Sequence, residues 1–118
     1  MLKSERSGPY LLVWEFHVRP RRESEFETIY GPNGQWEQFF MKADGFIRTE
    51  LNRDFNNPRR YLTLDYWTSK DAYEKFHEQH RAEYKAIDQR CEGLTERETP
   101  LGAFLSLKPE TLNLKSKA

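Results

Sequence analysis

The sequence predicts one α+β domain in which four antiparallel strands and two helices follow the order β-α-β-β-α-β. Three observations support this prediction. An alternating apolar strand opens the chain at about 10–18, and a strand over about 60–67 runs directly into a capped helix. The chain has 118 residues, enough for one hydrophobic core but not for two.

The first strand alternates in hydrophobicity, and Pro20 closes it. Its side chains therefore divide between the two faces of the predicted sheet. One face carries Leu12, Trp14, Phe16 and Val18, and the other carries Leu11, Val13, Glu15 and His17.

The first helix is predicted from about Glu23, where Ser24 and Glu27 have the spacing of a capping box. A Gly-Pro-Asn-Gly segment at 31–34 interrupts it, because glycine and proline are poorly tolerated inside a helix. The helical pattern resumes at Trp36. Such a break either widens or gates the gap between helix and sheet, or it is a neutral insertion.

The second half of the chain predicts three strands and one long helix. A strand over about 46–53 is joined to the strand over 60–67 by an Asn-Asn-Pro turn. The helix then begins at Thr68 or Ser69 and runs to about Cys91. A last strand over about 97–107 contains a proline and a glycine, which indicate an edge strand or a bulge. The polar stretches 1–9 and 108–118 are expected to be flexible ends of a domain that spans 10–107.

This order of elements is the ferredoxin-like arrangement, with both helices on one face of the sheet. The opposite face would leave Leu11 and Val13 exposed, and an apolar patch of this kind usually marks an interface. We therefore predict a homodimer that pairs through its sheet faces and forms a dimeric α/β barrel. The polar groups expected at this seam are Glu15, His17, Thr63 and Asp65.

The charge balance and the cysteine count exclude several classes of partner. The 19 basic residues equal the 19 acidic ones in number and are interspersed with them. No basic field is therefore present to attract nucleic acid or an anionic membrane. The single cysteine excludes an internal disulfide and fits a reducing compartment. No signal peptide or membrane-spanning run is recognised, so the expected location is the cytoplasm.

Two histidines are the catalytic candidates. On a helix of 100° per residue, His80 lies within an apolar stripe and His77 lies on its flank. A neutral imidazole that faces an aromatic-lined space can act as a general base near neutral pH. Alternatively, His80 is a core histidine hydrogen-bonded to a tyrosine or a backbone carbonyl. The pair has the spacing of metal ligands, but no third ligand follows from the sequence, so no metal is predicted.

Aromatic side chains are predicted to form the walls of a pocket between helices and sheet. Trp14, Phe16 and Tyr66 are predicted to face the helices, whereas the direction of Trp67 is open because strict alternation groups it with Asp65. The predicted pocket residues are Trp14, Phe16, Tyr66, Trp67, Tyr73, Phe76 and Tyr84. The same rings could equally form the core. No phosphate loop, nucleophile elbow or nicotinamide fingerprint is present, so no cofactor is predicted.

The chain resembles the antibiotic biosynthesis monooxygenase superfamily over about 10–107. The resemblance rests on four segments: VWEFHVRP, FETIYG, DGFIRTEL and RYLTLDYWTSKDAYEKFHEQH. It implies a ferredoxin-like protomer that pairs through its sheets and has a pocket between helices and sheet. It also implies, for characterised members, oxidation of polycyclic aromatic or quinol substrates by molecular oxygen without flavin or metal.

The resemblance also bears on individual residues. It implies that His77 or His80 helps to remove a proton. It also implies that Trp14, Tyr66 and Trp67 shape the cavity. Another branch of the superfamily degrades haem with an Asn, a Trp and a His. This chain has Trp14 and Phe76 where the Asn and the Trp would stand, which argues against haem degradation.

The leading hypothesis is therefore a cofactor-independent monooxygenase that acts on a small aromatic or quinol-like compound. His80 is the preferred base, and His77 is second. The first alternative is a non-catalytic dimer that binds a small apolar ligand in the same pocket. The second is a structural domain whose helix–sheet gap is filled by its own rings.

Overall fold

The computed structural model describes residues 9–107. Its strands are β1 (Tyr10–Val18), β2 (Phe46–Arg53), β3 (Arg60–Trp67) and β4 (Thr95–Leu105). Its helices are α1 (Glu23–Tyr30), α2 (Gln35–Phe40), α3 (Lys70–Gln79) and α4 (Arg81–Cys91), and a 3₁₀ turn at Glu92–Leu94 precedes β4. The tails predicted for 1–9 and 108–118 lie, apart from Pro9, outside the described residues.

The four strands form one antiparallel sheet in the order β2-β3-β1-β4. The helices pack on one face of this sheet. For example, the ring centroid of Phe16 on β1 lies 5.3 Å from that of Phe26 and 5.0 Å from that of Tyr30 on α1. The predicted α+β, ferredoxin-like fold is therefore confirmed, with a pair of helices standing where each single helix was expected.

The strand register corrects which residues face the helices. Cα partners across an antiparallel pair share a face, and Trp14 pairs with Thr63 while Leu11 pairs with Tyr66. We call the helix side of the sheet the inner face and the opposite side the outer face. Thr63 and Asp65 therefore lie on the inner face with Trp14, so their predicted place at a dimer seam is wrong. Tyr66 lies on the outer face, so the prediction that it faces the helices is also wrong.

The second predicted helix is divided at His80, which the apolar stripe did not reveal. His80 has φ −120° and ψ 32°, so it ends α3 and precedes α4. Hydrogen bonding continues across the division, because His80 N–H donates to the Phe76 carbonyl and Tyr84 N–H donates to the His80 carbonyl, both at 2.9 Å. At the start of α3, the Ser69 hydroxyl oxygen accepts from Ala72 N–H at 3.0 Å, as its capping role predicts.

The Gly-Pro-Asn-Gly segment separates α1 from α2, as predicted. Asn33 adopts a left-handed φ of 65°, and its N–H donates to the Glu37 carboxylate at 2.6 Å. A side chain on Gly34 would collide with the carbonyl oxygens of Thr28 and Ile29. The break is therefore a tightly built turn that sets the start of α2 against the end of α1.

Of two predicted local features, the capping box at the start of α1 is absent and the bulge in β4 is present. The capping box is absent, because α1 begins at Glu23 and Ser24 lies inside its first turn without capping it. The bulge in β4 is present: the register shifts so that Leu101 is left over, and Gly102 has φ 145°, a conformation that favours glycine.

Aromatic rings make up most of the core between the inner face and the helices. Trp67, Tyr61 and Phe26 are at most 1% exposed. Phe26 stacks on Tyr30 with centroids 4.2 Å apart, and Trp67 lies 5.6 Å from Phe76. None of the helices in the described part of the chain is long and apolar enough to cross a membrane.

Candidate functional site

A cavity of about 120 Å³ remains between the inner face and the helices, where the rings do not fill the space. Two sets of elements enclose it. The sheet contributes Trp14, Phe16, Thr49, Thr63, Asp65 and Glu98, and the helices contribute Tyr30, Trp36, Phe40, Tyr84 and Asp88. The cavity therefore combines aromatic walls with three carboxyl groups.

Asp65 is the carboxyl group of the sheet wall. It lies on β3 opposite Leu12, and the Thr49 hydroxyl donates to its Oδ1 at 2.6 Å. Burial disfavours the charged carboxylate and raises the pKa of Asp65 to about 6. The Thr49 hydrogen bond opposes this shift, and the charge of Glu37 adds to it. Asp65 can therefore exchange a proton close to neutral pH.

The helix wall is formed by rings that the turn at 31–34 brings together. Tyr30 precedes the turn and Trp36 follows it, and their ring centroids are 6.0 Å apart. Trp36 also meets Tyr84 of α4 at 5.2 Å in an edge-on contact. The Nε1 atom of Trp36 is buried and has no hydrogen-bond partner among the described residues. The Trp36 side chain instead lies close to the Tyr30 hydroxyl and the Cys91 thiol. Burial raises the pKa of both groups, and Trp36 opposes that rise.

Glu98 marks the mouth of the cavity, because it alone among the lining residues is exposed; Asp88 is half-buried, as are Trp14, Asp65 and Tyr84. The Thr95 hydroxyl donates to the Glu98 carboxylate at 3.3 Å. Partial burial raises the pKa of Glu98, and the charge of Asp88 raises it further. Within residues 9–107, no basic side chain forms an ion pair with Asp65, Asp88 or Glu98.

His80 lies outside this cavity. Its Nδ1 atom is 3.1 Å from a Glu83 carboxylate oxygen, and the same carboxylate accepts from Lys42 at 2.5 Å. The His80 ring packs on Phe76 at 4.5 Å and lines a polar surface groove that shares no lining residue with the cavity. The expected position of His80 in an aromatic-lined space is therefore not observed. Its role as the base stays a prediction without support from this geometry.

His77 also lies outside the cavity but touches its wall. Its ring centroid is 4.5 Å from that of Tyr84, a lining residue, and 5.6 Å from that of Tyr73. Burial, as the main cause, raises the pKa of the Tyr84 phenol above its usual value. His77 itself lines a shallow surface groove beside Tyr73. His77 can therefore influence the site only through Tyr84.

The predicted pocket residues fall into three groups. Trp14, Phe16 and Tyr84 line the cavity. Trp67 and Phe76 are fully packed in the core beside it, and Tyr73 is half-buried against Trp67, with ring centroids 5.4 Å apart. Tyr66 is on the outer face, where its ring lies 3.9 Å from the Arg48 guanidinium carbon.

Sequence reasoning missed the acidic members of the site. Asp65 was placed on the wrong side of the sheet, and Asp88 and Glu98 were not considered. Strand alternation already grouped Asp65 with Trp67, so a correct assignment of Trp67 to the core would have placed Asp65 with it. No comparable signal in the sequence marks Asp88 or Glu98, which meet only through the fold.

The fold and the cavity define a class: ferredoxin-like α+β proteins with a cavity between an antiparallel sheet and the helices that cover it. The chain belongs to the antibiotic biosynthesis monooxygenase family, whose model matches residues 9–89. No curated protein matches the chain.

Solved structures share the fold across nearly their whole length. A variant of SnoaB, a cofactor-independent oxygenase from Streptomyces nogalater, has a TM-score of 0.69 at 23% identity, covering 88% of this chain and 98% of its own. A protein from Bordetella bronchiseptica that bears the family's name has a TM-score of 0.69 at 21% identity, covering 86% and 99%. PA3566 from Pseudomonas aeruginosa has a TM-score of 0.63 at 13% identity, covering 87% and 98%. At these identities the likeness establishes the fold.

Proposed function

We propose that this protein is a cofactor-independent monooxygenase that oxidises a small aromatic, phenol- or quinol-like compound with molecular oxygen. One observation carries the proposal: Asp65, with a pKa of about 6, sits in an aromatic cavity of the size of a small ligand. A base whose pKa lies near the working pH is suited to proton abstraction. Family membership and the similarity to SnoaB, described as a cofactor-independent oxygenase, support the same reaction class.

The proposed chemistry needs only a base and a shielded ring. Asp65 accepts the phenolic proton, and the resulting phenolate transfers one electron to O₂. The phenoxyl radical and superoxide then combine at a ring carbon to give a peroxide anion, which takes back the proton from Asp65. The resulting hydroperoxide loses water and leaves a quinone. For a simple phenol the balance is C₆H₆O + O₂ → C₆H₄O₂ + H₂O. One oxygen atom enters the product, and the other leaves as water.

The size of the cavity favours a single ring. A cavity of roughly 150 Å³ holds benzene in another protein, and the cavity here measures about 120 Å³. A polycyclic substrate would fit only if the walls moved apart or if part of it projected past Glu98. We therefore propose a monocyclic ring in the cavity.

The base in this proposal is Asp65, not His80 as first expected. Asp65 lines the cavity, whereas His80 is held by Glu83 in a separate groove. His77 would act as a positioning residue, because its ring supports Tyr84.

The test is oxygen uptake by purified, metal-stripped protein with phenols, quinols and catechols, and with anthrone as a polycyclic comparator. We expect saturable uptake that Asp65→Asn reduces about 100-fold in kcat. Asp71→Asn, which removes an exposed carboxylate on α3, is the matched control. We also expect kcat/KM of the wild type to rise with pH through about 6, and this limb to be absent in Asp65→Asn.

Two other outcomes would redirect the assignment. Loss of oxygen uptake in His80→Ala, with Asp65→Asn fully active, would show that the base is His80 and not Asp65. No uptake above the uncatalysed blank for any compound, together with ligand-dependent stabilisation of the fold, would favour a protein that binds a small ligand without catalysis.

The outer face supports a homodimer as part of this proposal. Apolar side chains run across its centre: Val13, Leu62, Leu64, Tyr66 and Phe104. Leu11 was expected to be exposed here, but it is already buried within one chain, at 9% exposure. Phe104 is 49% exposed, which is high for a ring within a strand. Pairing two outer faces around a twofold axis would bury this surface. Sedimentation equilibrium should give twice the mass of one chain, and a monomer at micromolar concentration would contradict the pairing.

A further inference from the structure

The geometry points to a ligand that carries a positive charge: we infer that the cavity binds a monocyclic phenol bearing a protonated amine. This inference rests on the proposed function, because it takes the cavity as the substrate site. It names the chemical class of the substrate, and it follows from the carboxyl groups and rings that line the cavity.

The carboxyl groups of the cavity are not neutralised by the protein. Asp65 and Glu98 are hydrogen-bonded only by hydroxyl groups, those of Thr49 and Thr95. The lining contains three acidic residues and, within the described chain, no Lys, Arg or His. Carboxyl groups that face a common space without a cation are costly unless a positively charged partner enters that space.

The cation expected here is organic rather than a metal ion. The described residues contain no group of three or more His, Cys, Asp or Glu side chains placed to hold a metal. Most of the remaining lining is aromatic and includes the rings of Trp14, Tyr30, Trp36 and Tyr84. The face of an indole or a phenol attracts an ammonium group, and aromatic cages of this kind recognise organic amines.

The arrangement of the lining gives the ligand an orientation. Asp65 accepts a hydrogen bond from the buried Thr49, whereas Glu98 is the exposed residue of the lining. Glu98 lies at the mouth, and Asp88 is near enough for its charge to act on Glu98. A phenolic hydroxyl would therefore face Asp65, the ring would lie between the indoles, and the ammonium group would face Asp88 and Glu98.

The experiment compares three phenols that differ in the charge of one substituent: tyramine (cationic), 4-ethylphenol (neutral) and 4-hydroxyphenylacetate (anionic). Isothermal titration calorimetry at pH 7 gives a Kd for each with the wild-type protein. We expect tyramine to bind about tenfold more tightly than 4-ethylphenol, and the anion to bind more weakly than both. Added salt should raise the Kd of tyramine and leave that of 4-ethylphenol nearly unchanged.

Variants at the mouth identify the source of the preference. Glu98→Gln and Asp88→Asn should each reduce the preference for tyramine severalfold without weakening 4-ethylphenol. Glu96→Gln is the matched control, because it removes a carboxylate from the same strand that pairs with Arg59 at 3.5 Å and lies outside the lining. It should leave all three Kd values unchanged.

The outcomes separate this inference from the proposed function. Equal binding of the three phenols, tighter binding of the anion, or binding of none would overturn the cationic ligand class, even if neutral phenols support oxygen uptake. A preference for tyramine that Glu98→Gln reduces would establish the ligand class, even if no compound is oxidised. In that case the protein would bind aromatic amines without oxidising them. Only the proposed oxygenase activity would then be rejected.

Discussion

The two faces of the sheet carry acidic residues in different environments: those on the outer face are paired with a basic side chain, and Asp65 on the inner face is not. On the outer face, Arg60 donates to Glu15 at 2.5 Å and to Asp54 at 2.7 Å, and His17 lies 3.5 Å from Glu15. These contacts lower the pKa values of Glu15 and Asp54, with the Arg60 hydrogen bond as the main cause. On the inner face, Asp65 has only a hydroxyl donor, and burial raises its pKa to about 6.

This difference separates a structural charge network from a functional one. Carboxylates that gain an arginine in the folded state stabilise the fold at neutral pH. A desolvated carboxyl group without a cation destabilises it, and such groups cluster at functional sites. The inner face therefore carries a destabilising group that the fold does not need, in a cavity that has room for a ligand. Four substitutions test whether the two faces differ in this way.

The largest effect is expected at the turn that builds the inner wall. In Gly34→Ala the new methyl group would meet the Thr28 carbonyl oxygen at 2.5 Å and that of Ile29 as closely, so α2 must shift. We expect a loss of about 3 kcal/mol in the free energy of unfolding. Denaturant unfolding measures this loss. Gly93→Ala, where a methyl group meets nothing within 4 Å, should change stability by less than about 0.5 kcal/mol.

Asp65→Asn is expected to stabilise the protein. The folded pKa of about 6 lies above the ordinary value for an aspartate, so between roughly pH 4 and pH 6 the folded protein keeps a proton that the unfolded chain has released. Raising the pH through this window therefore destabilises the wild type. The variant should lack this decline and should be more stable at pH 7 by about 2 kcal/mol. Equal slopes for the two proteins would show that Asp65 is not desolvated.

Leu64→Glu tests the outer face without touching the cavity. It places a charge at the centre of the apolar surface, so we expect the dimer to dissociate while the affinity for tyramine is retained. Sedimentation velocity and calorimetry on the same sample measure both properties. Asn52→Glu adds the same charge at the exposed edge of that face on β2 and should stay dimeric. A dimer that persists in Leu64→Glu would place the interface elsewhere.

The smallest effect is expected for Glu15→Gln, in the direction opposite to that of Asp65→Asn. The pKa of Glu15 is lowered in the folded protein, so its stabilising contribution is present above the ordinary glutamate pKa and is lost as the pH falls through the folded value. The variant should be slightly less stable than the wild type at pH 7 and equally stable in strong acid. Thermal unfolding at several pH values measures the difference, and increased stability at pH 7 would contradict a structural role.

The sequence predicted the fold because strong local signals agreed with one another. The alternating strand at 10–18, the glycine- and proline-rich break at 31–34 and the capping serine Ser69 each specify one local structure. The site was harder to predict, because it depends on the register between strands. Alternation orders the residues within β3, but the pairing of Trp14 with Thr63 decides that Asp65 faces inward. The division of the helix at His80 was likewise not predicted, because no proline or glycine lies there.

The most direct test of this account is the pKa of Asp65, measured by carbon-detected NMR of the side-chain carboxyl groups from pH 3 to pH 8. The resonance is assigned by its absence from the spectrum of Asp65→Asn. We expect Asp65 to titrate near pH 6 and Glu15 to titrate below its ordinary range in the same sample. Titration of Asp65 near pH 4, like an exposed aspartate, would contradict a desolvated base in the inner cavity and remove the support for the proposed chemistry.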